Sequence, residues 1–140
     1  GPDGYKYEPV WVNPADAGLL GLSTGDIVKL YNERGAVLGG VRVTERIMPS
    51  VVYQDHGSRV DSVVLGRGGL DRGGANNLIA PYATTSTHAF GEVTSGFLVN
   101  IEKVDVFALA EQYPEAFGRD YEPDCGLVAT ARVVDGKEGE

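Results

Sequence analysis

The chain has 140 residues with a net charge of −8, and its hydrophobic and charged shares, 42% and 23%, are those of one soluble globular domain. The acidic balance argues against holding nucleic acid or an anionic membrane through the overall field, and no apolar run is long enough to span a bilayer. A single cysteine, Cys125, excludes an internal disulfide and any multi-cysteine metal or iron–sulfur site.

In chain order, Pro9 to Asn13 reads as a short strand. Asn13-Pro14 then opens a helix, with Asn13 as cap, Pro14 in the first turn and Asp16 at the positive end of the dipole. Gly21 ends that helix, and Ser23 to Asp26 turns the chain into a strand from Ile27 to Asn32. Glu33-Arg34-Gly35 forms a hairpin-type connection in which Gly35 is free to take a positive φ. Ala36 to Glu45 alternates as a second hairpin strand, Pro49-Ser50 breaks it, and Val51 to Gln54 gives another. Such closely spaced strands favour a closed or nearly closed β-barrel.

Periodicity is lost from Gly57 to Thr94, a Gly-, Ser-, Thr- and Asn-rich stretch too long for a passive connector. Leu70, Leu78, Ile79, Tyr82 and Phe90 are spaced through it, so an ordered loop with one short helical turn is expected. Phe97 to Val104 alternates like a last barrel strand, Asp105 caps a helix through about Gln112, and Pro114 ends it. From Arg119 the tail carries six acids against three bases and is expected to be partly mobile. Met48 is the only methionine, so the chain reads as a piece of something larger or a processed product.

Few residues have the spacing of catalysis. His56 and His88 have no cysteine near them, and Asp55 or Asp61 lie at no ligand spacing, so no metal is assigned. Ser86, His88 and Asp55 compose a trio of hydrolase type, without a Gly-x-Ser-x-Gly elbow. Gly66, Gly68, Gly69, Gly73 and Gly74 fit neither phosphate-loop pattern, and serve equally a bare turn or close backbone approach to a flat ligand. Asn76-Asn77 and the run Thr84 to Thr87 suit the edge of a heterocycle, a phosphate or sugar, or simply the loop's own backbone.

Taken together, several motifs resemble a known family: Asn13-Pro14-x-Asp16-Ala17, Gly25-Asp26-x-Val28, Asn32-x-Arg34-Gly35, Val43-Thr44-x-Arg46, Pro49-x-Val51 and His56-Gly57. Gly74-x-x-Asn77-x-Ile79 and Thr85-Ser86-x-x-Ala89-x-Gly91 continue the series. The string, covering about residues 8 to 104, is similar to the C-terminal dinucleotide-binding domain of the dimethyl sulfoxide reductase family. These are molybdenum or tungsten enzymes carrying bis(molybdopterin guanine dinucleotide). The YKYEP opening and the DHGSR turn are most similar to the pyrogallol–phloroglucinol transhydroxylase large-subunit branch, with catechol dehydroxylase-like enzymes near it.

The resemblance implies a mainly β fold, a double-psi β-barrel with short helices and a long loop covering the cofactor. It implies a barrel domain at 1–118, lacking the family's first segment, and an acidic tail at 119–140. It places cofactor contacts at His56, Gly57, Ser58, Gly74, Asn77, Thr85 and Ser86. Ala80 and Tyr82 stand where many relatives have Thr and Asp, a departure that bears on the contacts carried over beyond Asn77. The metal ligand and substrate residues would lie in other domains of a parent catalytic subunit, which an iron–sulfur electron-transfer subunit would serve. The chain alone is then expected to be inactive, in a bacterial cytoplasm or periplasm, with no nucleic acid and no direct membrane contact. A freestanding barrel acting as a small subunit or partner-binding module without cofactor is the alternative.

Overall fold

The computed structural model describes residues 1–88, 91, 93, 95–124 and 126–128. Expectations for Ala89, Phe90, Thr94, Cys125 and the end of the tail fall outside these residues. Strands β1 (Pro9–Val12), β2 (Ile27–Tyr31), β3 (Gly35–Val43), β4 (Val52–Gln54), β5 (Ser62–Val64), β6 (Gly69–Asp71) and β7 (Asn100–Lys103) make one mixed sheet. Its order is β4-β1-β3-β2-β7, with β6 on β3 and β5 on β6. Strands β8 (Tyr121–Glu122) and β9 (Leu127–Val128) pair separately.

The long strand β3 organises the sheet. One edge pairs antiparallel with β2, from Ile27↔Gly40 to Tyr31↔Ala36. The other edge is shared end to end: β6 takes Gly35 to Val37 and β1 takes Gly40 to Val43, both parallel. Its two faces feed two cores, although Arg42 near its end is exposed. Val28, Leu30, Val37 and Val41 join Val10, Val12, Ala17, Leu22 and Ile79 in one core, while Ile27 and Leu38 join Leu70 and Val106 in a second.

Helix α1 (Pro14–Leu20) begins as the sequence indicates: Asn13 Oδ1 accepts from the Ala15 amide at 2.9 Å, and Gly21 closes the helix at φ 64°. Asp105 likewise caps α2 (Val106–Gln112), accepting from the Phe107 and Ala108 amides. Pro114 ends α2 as expected but also starts a further turn, α3 (Pro114–Phe117), because proline suits a first helical position.

Two local expectations are corrected. Gly35 does not have a positive φ; a Cβ there would sit 2.7 Å from Leu78 Cγ, so close packing is what requires glycine. The aperiodic stretch after Gly57 contains β5 and β6 as well as a 3-10 turn at Asn76–Leu78. Of its spaced hydrophobic residues, Leu70 and Ile79 are buried, Leu78 is half-buried, and Tyr82 is fully exposed.

Candidate functional site

Two segments meet beyond the end of β4. The turn at His56-Gly57-Ser58 follows that strand, and Gly73-Gly74 follows β6. Ser58 Oγ donates to the Gly74 carbonyl at 2.5 Å, joining residues sixteen apart. Gly74 holds φ 85°, a conformation costly for residues with a Cβ, and any Cβ would press on Gln54 Nε2 and on Glu8 at 2.9 to 3.1 Å. Asn76 ties the second segment back to the first, its Nδ2 donating to the Asp55 carbonyl at 2.8 Å and to that of Gln54 at 3.3 Å.

Asp71 sets this turn from below. Its Oδ1 accepts from the Ala75 amide at 3.0 Å and its Oδ2 from the Asp61 amide at 2.8 Å, inside a site where its side chain is almost wholly buried. Burial pushes the Asp71 carboxyl above its ordinary range, and those backbone amides oppose the rise. Burial, then the neighbouring Asp55, likewise raises Glu8. Arg72 points the other way, to Asp3 at 2.7 Å, between the rings of Tyr5 and Phe117 at 4.0 and 4.3 Å. Arg119 reaches Asp61 at 2.7 Å, and Tyr121 stacks on Tyr5 at 4.6 Å.

A cavity of 210 Å³ opens beside the joined segments. Gln54, His56 and Asn76 give it polar lining, and Leu30, Ile79 and Phe97 apolar walls. Three polar atoms here are buried without a hydrogen-bond partner among the described residues: Gln54 Nε2, Gln54 Oε1 and Asn76 Oδ1. Each such group costs about 1–3 kcal/mol when unpaired. A larger, mostly apolar groove of 730 Å³ adjoins it, running past Leu19, Val51, Phe97 and Leu98.

The predicted site residues fall in three places. His56, Gly57, Ser58 and Gly74 are brought together, with His56 and Gly57 exposed, Ser58 half-buried and Gly74 buried. Asn77 lies exposed on the adjoining 3-10 turn, outside the cavity lining. Thr85 and Ser86 are exposed in a separate turn, where the Thr85 amide donates to the Gly91 carbonyl at 2.6 Å. Sequence reading passed over Gln54, because the last residue of a short strand carries no signal of burial.

Four of the other motif residues brace loops. Asn13 Nδ2 holds the Ile47 carbonyl at 2.7 Å, and Asp16 accepts from the Ser50 amide at 2.7 Å. Asn32 and Arg34 both donate to the Ile79 carbonyl at 2.8 Å, which fixes the chain just after the 3-10 turn. The hydrolase trio gains no such support: His88 reaches Ser86 Oγ through its backbone amide, at 3.2 Å, and Asp55 accepts from the Tyr53 hydroxyl. Among the described residues, no group of three or more His, Cys, Asp or Glu is placed to hold a metal, and no helix is long and apolar enough to cross a membrane.

A cleft with amide donors and acceptors, apolar walls and a close-packed glycine turn suits a planar heterocyclic ligand. The profile of the family described as "Molydopterin dinucleotide binding domain" matches residues 2–94. The chain is 38% identical over 104 residues to the pyrogallol hydroxytransferase large subunit of Pelobacter acidigallici, a match covering 74% of this chain and 12% of that protein. It is 36% identical over 98 residues to the dimethyl sulfoxide/trimethylamine N-oxide reductase of Rhodobacter capsulatus, and 37% identical over 98 to the trimethylamine-N-oxide reductase of Haemophilus influenzae. Each of these covers 69% of this chain and 12% of the relative.

The class is thus a dinucleotide-binding domain. The chain belongs to the molybdopterin dinucleotide-binding domain family, as found in enzymes of the dimethyl sulfoxide reductase family. It spans about 12% of the length of the curated relatives it matches.

Proposed function

We propose that this domain holds the guanine form of the cofactor, bis(molybdopterin guanine dinucleotide) carrying molybdenum or tungsten, and closes over it inside a larger oxidoreductase or transhydroxylase. The observation that carries this reading is the Ser58–Gly74 hydrogen bond, which joins two segments expected to face the cofactor. The polar lining that Gln54, His56 and Asn76 give the adjoining cavity fits the same reading, since a pterin or guanine ring is an array of donors and acceptors. His56, Gly57, Ser58 and Gly74 would approach the cofactor at the joined turns. Asn77, Thr85 and Ser86 would contact it from the loop that folds over it. When bound, the cofactor supplies the metal-centred redox chemistry; this domain's share is binding and orientation.

The double-psi barrel belongs to the same proposal. It is supported by the shared edge of β3, where two parallel strands meet end to end. The barrel unit would span residues 1–118, and 119–140 would form the tail. The other domains of the parent catalytic subunit are the proposed partners, and the apolar groove past Leu19 and Leu98 is a surface for one of them. An iron–sulfur subunit would supply or remove electrons. A module without cofactor is disfavoured by the family match.

Replacing Asn77 by Asp in the parent enzyme tests the reading, because the carboxylate removes both amide donors and adds charge. The expected result is loss of most bound pterin and metal at unchanged protein yield. Normal pterin and metal content in that variant would overturn the assignment of Asn77 and weaken the covering-loop reading with it.

A further inference from the structure

The turn between β2 and β3 reaches well beyond its own strands. Locally it is an Asx-type turn: the Asn32 backbone amide donates to the Gly35 carbonyl at 3.0 Å, and the Arg34 backbone amide to Asn32 Oδ1 at 3.0 Å. With its side chains so fixed, the turn presents Asn32 Nδ2 and Arg34 Nε to another segment, and both donate to the Ile79 carbonyl at 2.8 Å. Gly35 completes the seat, since a Cβ there would lie 2.7 Å from Leu78 Cγ and 3.1 Å from the Leu78 carbonyl oxygen.

The same two side chains hold a second point, much later in the chain. Asn32 Nδ2 also donates to the Leu98 carbonyl at 3.3 Å, and the Arg34 guanidinium lies 5.7 Å from the centre of the Phe97 ring. The stretch 80–96 therefore leaves and rejoins the fold at one turn. It has two cross-connections of its own, from the Val93 amide to the Ala83 carbonyl at 3.0 Å and from the Thr85 amide to the Gly91 carbonyl at 2.6 Å. Holding both ends of a loop at one place removes chain freedom that its own internal bonds would otherwise have to overcome. The anchor is firm, because the turn closes a hairpin whose Leu30, Val37 and Leu38 are buried.

We infer that Asn32 and Arg34 are positioning residues for cofactor binding, a clamp that gathers both ends of 80–96 and thereby sets where Thr85 and Ser86 stand. Neither residue lines the cavity beside Ser58 and Gly74, so both act through the loop they hold. The inference rests on the reading above in which Thr85 and Ser86 contact the cofactor.

Asn32→Asp and Arg34→Met in the full-length parent test the clamp. The aspartate keeps an acceptor for the Arg34 amide and puts a carboxylate oxygen where the donor to Ile79 and Leu98 stood. The methionine keeps an apolar stem and removes the guanidinium. Hydrogen exchange is read on peptides covering 80–96 and on peptides covering β2 and β3. Each variant is expected to speed exchange in 80–96 by about tenfold and to leave β2 and β3 within about twofold of wild type. Unchanged exchange in 80–96 would show that nothing is clamped, and equal acceleration in β2 and β3 would show that the pair serves the fold; either overturns the inference.

Pterin retained through gel filtration is the second readout. A wild-type parent that purifies without pterin would end the cofactor reading and the positioning role with it. Given a loaded wild type, which upholds the cofactor reading whatever the variants do, both variants are expected to retain about fivefold less pterin. Faster exchange in 80–96 with unchanged pterin retention would mean that the clamped loop does not position the cofactor, and would overturn the inference alone.

Discussion

The guanidinium of Arg72 is bound 2.7 Å from the carboxylate of Asp3 although the two residues stand 69 apart in the chain, and both side chains are nearly buried. The pair pins the N-terminal segment across the end of β6, with Tyr7 adding a hydrogen bond to each partner. Burial alone would raise Asp3, but the hydrogen bonds from Tyr7 and Arg72 outweigh it and hold the carboxyl below its usual range.

Arg72→Met is therefore expected to destabilise the fold by about 3 kcal/mol, since it strands a buried carboxylate. The pH dependence has a definite sign. Because the folded Asp3 value is depressed, its contribution is complete above the unfolded value near about 3.9 and is lost as pH falls through the folded one. Urea melts of both proteins should give stabilities that converge as the pH drops below about 4.

Glu8 carries the opposite sign. Burial and Asp55 raise its carboxyl, so its ionised form is disfavoured in the fold and stability is lost as pH rises through the folded value. Glu8→Gln should match wild type in acid and exceed it near neutrality, by less than about 1 kcal/mol because the group is half-exposed. Paired denaturation curves across that range check the prediction.

Two glycines should respond in opposite directions to alanine. At Gly73 a Cβ would lie 1.8 Å from the Arg59 carbonyl oxygen, so the backbone itself must shift. Loss of at least about 3 kcal/mol is expected there, with disruption of the Gly74 turn. Gly18, in α1, has open space around it and no positive φ, and Gly18→Ala should stabilise by about 0.5–1 kcal/mol. Thermal melts of the two variants separate these outcomes.

Asn13 joins two roles, capping α1 and holding the Ile47 carbonyl. Asn13→Ala is expected to cost about 1–2 kcal/mol, more than Asn13→Asp, which keeps the cap and loses only the Ile47 bond. Equal losses in the two variants would show that the cap contributes nothing.

These elements also explain how far the sequence could be read. Helix α1 was legible because Asn13, Pro14 and Gly21 act locally, within one or two turns. The hairpin β2–β3 was legible because the alternation of β3 coincides with a short connection. Strand β6 was not, since its three residues include Gly69 and the buried Asp71, and polar residues beside glycines read as loop. The groups that permit such burial are set by tertiary structure: Asp71 accepts from the Asp61 amide ten residues away, and Arg72 next to it pairs with Asp3, 69 residues back. In the candidate site, glycine and polar residues marked the turns at Ser58 and Gly74, but their meeting is a tertiary event. Gln54 left no trace in the pattern because its environment is made by Glu8, Gly39 and Gly74, from three separate segments.

The most direct test of the account is metal and pterin analysis of the full-length parent, matured in its own host and purified without oxygen. Molybdenum or tungsten bound together with guanine-bearing pterin is the predicted result. A properly matured preparation with neither metal nor pterin would contradict the cofactor-holding role and every contact assigned to it.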